Sequence, residues 1–283
     1  SAQTRPTLPK DYFRATPKQL EWEPGDHPFG KAPEAGVHPR ILISPDDLPE
    51  LRRKLQETAC GQRAMGSIGA WISYGTRKEG PLTAALQAYA NGDLNAREKV
   101  EDGWWKNQIA LSINLGAFQA LIKEDQEAQR FYSKVLVTYV RSLDSELDNM
   151  RPSTSIGFAY DWLYPAMTAE ERTTVRIAIS RMTMGKSSHG MDFAPENRSY
   201  NWMPHGMQLC LLALAIEGEE GYDPTVYARS VPVMRDFLTY GIYDDGTPTE
   251  GTHYFNFGMG SGGSMSLVAM ARRGDNLLQH PHL

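Results

Sequence analysis

The chain has 283 residues, 41% of them hydrophobic and 22% charged, enough to bury a sizeable core in one large domain or two modest ones. Its 29 Lys and Arg against 34 Asp and Glu leave a net charge of -5 with no dense basic cluster, so bulk charge does not hold a nucleic acid or a membrane surface. Two cysteines, Cys60 and Cys210, leave no disulfide framework and no CxxC metal signature, and no run approaches the ~18 apolar residues that span a bilayer.

Residues 1–40 are rich in proline and charge and show no sustained period, so an extended N-terminal arm is expected there, with one domain over 41–283. A secretory leader is not seen, while SAQTRPTLPK fits the first residues of a processed mature chain. RILIS reads as a short strand-like link. SPDDLPELRRKL then opens a helix, with Ser44 as cap, Pro45 at its first position, and Asp46 and Asp47 at the positive end of the dipole.

From there the pattern is helical almost throughout. PLTAALQAYANG is closed by Asn91 and Gly92, and WWKNQIALSINLGAFQALIKE spaces Ile109, Ile113, Phe118, Leu121 and Ile122 near a 3.6 period. EAQRFYSKVLVTYVRSL repeats the theme through Phe131, Val135, Leu136, Tyr139 and Val140. SIGFAYDWLYPAM stops at Pro165, and TAEERTTVRIAISRM starts on a capping box of Thr168 and Glu171. Then come YNWMPHGMQLCLLALAI, PTVYARSVPVMRDFLTYGI and a Gly- and Met-rich helix from about Tyr254 to Arg273. Roughly eight to ten helices joined by short loops predict an all-α fold of antiparallel hairpins. An (α/α) barrel or toroid is the preferred architecture and an irregular bundle the alternative. RRGDNLLQHPHL follows the last helix with turn-forming residues, as though a further element were to come.

Two segments carry polar and aromatic groups that a helix core does not need: NRSYNWMPHG (197–206) and YDDGTPTEGTHYFNFGMGSGG (243–263). Both are loops entering helices, where side chains and unpaired backbone N–H groups can meet a ligand. Asn201 suits a helix cap, Trp202 a staple or a sugar-stacking platform, and His205, one turn in, can face a cavity or an interior partner. Glu250 and His253, three apart, and Glu250 and Tyr254, four apart, can be neighbours on a helical face. The glycines of FGMGSGG are costly in a helix and point to close packing or to space for a ligand. His205, Glu250 and His253 are acceptable zinc ligands but lack the HExxH arrangement, and Asp161, Asp244, Asp245 and Glu250 are the candidates for a hydrolytic carboxylate pair. Neither a P-loop, a GxGxxG after a strand nor a GxSxG elbow occurs, and Cys210 reads as a buried hydrophobe.

The order HPRILISPDDLPELRRKL, GFAYDWLYPAMTAEERTTVRIAI, NWMPHG and DDGTPTEGTHYFNFGMG resembles the helical region of heparinase II/III-like polysaccharide lyases, over residues 37–273. That resemblance implies an incomplete (α/α) toroid whose following antiparallel β-sandwich region is lacking here, with the substrate groove at their junction. The implied reaction is β-elimination at a uronic acid. On this resemblance Asn201 and His205 lie at the uronate carboxylate and Tyr254 acts as acid and base. Trp202, Arg198, Tyr200, Glu250 and His253 contact substrate, while Tyr160 and Trp162 belong to the core. Relatives place a histidine directly after the asparagine. Here Trp-Met-Pro separates Asn201 from His205, so which of the two meets the carboxylate stays open. The resemblance also implies an acidic polysaccharide as substrate, no nucleic acid and no membrane span. It further implies a β-sandwich domain on the same full-length chain, a secreted or periplasmic location, and no cofactor in this region, a structural metal being at home in the β-sandwich. A glycoside hydrolase on an (α/α) barrel and a non-catalytic glycan-binding module are the rival readings.

Overall fold

Side-chain caps set several of the helix starts along the chain. A computed structural model describes residues 27–76, 80–149, 153–185, 199–200 and 202–283. A 3-10 turn, Pro45–Asp47, leads into α1 (Leu48–Glu57), and Asp47 Oδ2 accepts from the N–H (2.7 Å) and the Oγ (2.6 Å) of Ser44. The predicted start is therefore in place, but its first turn is 3-10 rather than α. Next come α2 (Ala59–Thr76) and α3 (Thr83–Ala90), the latter closed by Asn91 and by Gly92 at φ 87°. In α4 (Gly103–Lys123), the Asp102 carboxylate accepts from the N–H groups of Trp104 and Trp105, satisfying two of the orphan donors of the first turn. Asp125 does the same for α5 (Gln126–Ser142) through the Ala128 N–H. After α6 (Thr154–Leu163), the Thr168 and Glu171 capping box opens α7 (Ala169–Met184).

The second half holds α8 (Trp202–Leu214), α9 (Pro224–Tyr240), α10 (Gly251–Gly258) and α11 (Ser264–Ala271). The last two are joined without a break by a π-helical segment, Met259–Gly263. Each residue from Ile156 to Leu163 is buried, as is each from Leu209 to Leu214, so α6 and the second half of α8 are enclosed on all sides. α6 packs on α4 and on α8, and α8 packs in turn on α9 and on the π segment. The fold is all-α: among the described residues no strand forms, and one isolated antiparallel bridge joins Ile242 to Pro248.

RILIS, expected as a strand-like link, is not one. The Arg40 N–H lies 2.9 and 3.0 Å from the two Asp161 oxygens and the Ile41 N–H 3.1 Å from Oδ2, so a buried carboxylate of α6 takes the place of a neighbouring strand. His38 completes this anchor. Its Nδ1 is 2.7 Å from Asp161 Oδ1, its Nε2 is 3.2 Å from Glu219 Oε1, and its ring stacks on Tyr164 at 3.9 Å. Of the arm expected over 1–40, residues 1–26 lie outside the described residues. Residues 27–40 run without helix or strand across the C-terminal ends of α8 and α11, where the Ala32 N–H donates to the Arg272 carbonyl (2.8 Å) and the Gly36 N–H to that of Glu217 (3.3 Å).

Candidate functional site

The two polar, aromatic segments singled out in the sequence meet at one end of α8. Gly246, in the left-handed region at φ 82°, turns the chain between Ile242 and Pro248. The Thr249 hydroxyl then lies 3.1 Å from both the Ser199 and the Gly241 carbonyl oxygens, which ties the start of one segment to the start of the other. Close packing of the π segment brings the helices together. A Cβ on Gly262 would sit 3.0 Å from the Gln208 nitrogen and 3.1 Å from the Pro204 oxygen, and one on Gly263 would sit 2.8 Å from Pro204 Cβ. These two glycines let the wide π turn press against the first turns of α8; Gly260, by contrast, faces open space.

That contact seats Ser261 beside His205, with Oγ 2.8 Å from Nδ1. The Ser261 hydroxyl also donates to the Gly258 carbonyl at 3.1 Å. The Gln208 amide nitrogen lies 3.1 Å from His205 Nδ1 and 3.4 Å from Nε2, so both ring nitrogens have a polar partner. The ring itself is clamped. Phe257 stacks on it at 4.9 Å and 18°, and Trp202 meets it edge-on at 4.9 Å and 80°.

Tyr254 lies one turn, about 4.5 Å along the axis, before Phe257. It is 56% exposed, Trp202 is 52% exposed, and Phe257 and Tyr200 are exposed as well. Trp202 and Phe257 meet edge-on at 6.0 Å, so exposed aromatic rings lie side by side at this end of α8. His253 lies beside Tyr254 with ring centroids 5.6 Å apart, and Glu250 is exposed at the N-terminal end of α10. The structure thus gathers Trp202, His205, Tyr200, Glu250, His253 and Tyr254 around the facing ends of α8 and α10. Asn201 and Arg198 lie outside the described residues.

Of the candidate hydrolytic acids, Asp161 is withdrawn into the interior, fully buried and spent on His38 and the backbone of Arg40 and Ile41, whereas Asp244 is exposed and lies 3.3 Å from His282. Among the described residues no group of three or more His, Cys, Asp or Glu is placed to hold a metal ion, so His205, Glu250 and His253 do not converge on one. The helix that begins near Tyr254 begins at Gly251 and changes pitch at Met259. Trp202 staples the start of α8 onto α10, leaning on His205 and Phe257 at the surface. Phe257, Ser261 and Gln208 join the site without having been singled out. Their signal was spacing alone, Gln208 three residues after His205 and Phe257 three after Tyr254.

The chain matches no protein-family model and no curated protein.

Proposed function

We propose that this chain is the helical catalytic region of a polysaccharide lyase that cleaves a uronate-containing glycan by β-elimination. The observation that carries the reading is His205, hydrogen-bonded to Ser261 and clamped by Trp202 and by Phe257, which follows the exposed Tyr254 by one helical turn. β-Elimination needs an environment that stabilises charge on the C5 carboxylate, a base for the C5 proton and an acid for the O4 leaving oxygen. A neutral imidazole held in a fixed orientation, or the Asn201 amide, hydrogen-bonds the carboxylate as the enolate-like state develops. A phenol supplies the proton exchange. Trp202, Tyr200 and Phe257 offer stacking faces for sugar rings. The resemblance to heparinase II/III-like lyases supports the same assignment and carries with it closure of the hairpins into an incomplete (α/α) toroid, export from the cytoplasm and a β-sandwich region on the full-length chain.

The test is the product. Incubation of the full-length protein with alginate, glycosaminoglycans, ulvan and pectic chains is expected to produce the ultraviolet absorbance of an unsaturated uronate from one of them. New reducing ends without that absorbance would assign a hydrolase instead. Tyr254→Phe is expected to lower turnover at least about a hundredfold while oligosaccharide binding persists. The exposed aromatic face also suits a module that binds glycan without chemistry. Binding of uronate oligosaccharides by the unmodified full-length protein with no turnover would establish that second reading.

A further inference from the structure

At the opposite end of α8 and α11 from the candidate site is a cavity of about 660 Å³, a size typical of small-molecule sites. Twelve residues of chain after His205, about 18 Å at helical rise, lead to its wall at Glu217. The lining is basic: Lys31, Arg40, Arg272 and Arg273 face it with His27, and Glu217 is the one acid among the lining residues. Behind the lining stand Asp47, 3.2 Å from Arg272, Asp275, bonded to Tyr227 at 2.7 Å, and Asp161, whose charge also acts on Arg272. Among the lining residues themselves four fixed cations stand against one acid. Glu217 is already shared, 2.6 Å from both Arg40 Nη2 and Arg273 Nη2.

Arg40 and Arg272 are both more than nine-tenths buried, and each leaves its Nε–H without a hydrogen-bond partner. Helix C-termini favour cations, which accounts for arginines at the end of α11. It does not account for two buried guanidinium donors left unmet, since such groups are normally satisfied. Burial, and then repulsion from Arg273, hold Arg272 below its ordinary range against the opposing pull of Asp47 and Asp161.

We infer that this cavity, walled by Arg40, Arg272 and Lys31, is a binding site for a small-molecule oxyanion, a phosphate or sulfate group on a body of about monosaccharide size. A guanidinium fork matches such oxygens, and the cavity has room for more than the bare anion. The inference does not depend on the reaction proposed for the other end of the helices.

Calorimetric titration tests it with inorganic phosphate, inorganic sulfate, glucose 6-phosphate, glucosamine 6-sulfate and, as control, glucose. One-to-one binding of an anion and none of glucose is expected. Tighter binding of a sugar ester than of its free anion identifies an esterified ligand, and equal binding a free one. Arg272→Lys, which keeps the charge but loses Nε, is expected to weaken binding about tenfold. Lys31→Gln, at the exposed rim, is expected to weaken it about threefold and stands as the test should Arg272→Lys unfold. Absence of one-to-one anion binding, or binding that the folded variants leave unchanged, overturns the inference.

Discussion

His205 shows how one side chain acquires its orientation from its neighbours. Its Nδ1 lies 2.8 Å from a serine hydroxyl whose own proton is engaged by a main-chain carbonyl, and its plane is set by Phe257 and Trp202. Ser261 is therefore a positioning residue in the proposed reaction. Ser261→Ala should remove one hydrogen bond, about 1 kcal/mol, and so lower kcat about fivefold with KM nearly unchanged. Steady-state kinetics on the cleaved glycan check this; an unchanged kcat would remove Ser261 from the machinery. Tyr254 was picked out through the resemblance of DDGTPTEGTHYFNFGMG to the lyase family, since a lone tyrosine by itself reads as core or rim. Ser261 was not, because its role depends on where a π turn places it, and no local pattern announces that turn.

Among the elements, the run from Gly251 to Ala271 carries the site, and its glycines are not equivalent. Gly262 is pressed against the α8 backbone, whereas Gly260 has nothing within 4 Å of an added Cβ. Gly262→Ala is expected to destabilise by about 1–3 kcal/mol because the neighbouring main chain has little room to give. Gly260→Ala should be neutral or stabilising by up to about 1 kcal/mol, since it removes helix-disfavouring freedom at no steric cost. Urea unfolding of the two variants decides the matter, and equal effects would refute the packing account. Boundaries marked by a cap, such as Thr168 with Glu171, could be read from the sequence because the partners are three residues apart. The 3-10 first turn before α1 could not, since a capped first turn reads the same in sequence whether 3-10 or α bonds close it.

Across the whole molecule, α6 is the anchor to which the described part of the N-terminal segment is fastened. Asp161 accepts from the His38 ring and from the Arg40 and Ile41 N–H groups with no exposure to water. Asp161→Asn removes the charge and turns an acceptor into a donor facing donors, which should cost about 3 kcal/mol or more, measured as a fall in the urea midpoint. His38 adds a pH dependence. Burial pulls its pKa down, but the hydrogen bonds and charges of Asp161 and Glu219 outweigh it and hold the pKa above the ordinary 6.5. A folded-state pKa above the unfolded one means stability that is complete below pH 6.5 and lost as pH rises through the folded value. Unfolding midpoints should therefore decline from neutral toward alkaline pH, and His38→Gln should flatten that decline. An equally steep decline in the variant would exclude His38 as its source.

The sequence by itself determined an all-helical chain, most helix starts, the burial of the FAYDWLY stretch and the two segments in which reactive groups collect. Each of these rests on periodicity or on contacts within a few residues, which a linear reading can see. Only the tertiary structure decided that RILIS is held by a carboxylate rather than by a strand, and that Asp161 belongs to an anchor rather than to a pair of acids. It alone set His205 against Ser261 and Phe257, and left Arg40 and Arg272 facing one cavity. Such contacts join residues far apart in the chain, and their energy depends on distance and burial, quantities that exist only once the helices have packed.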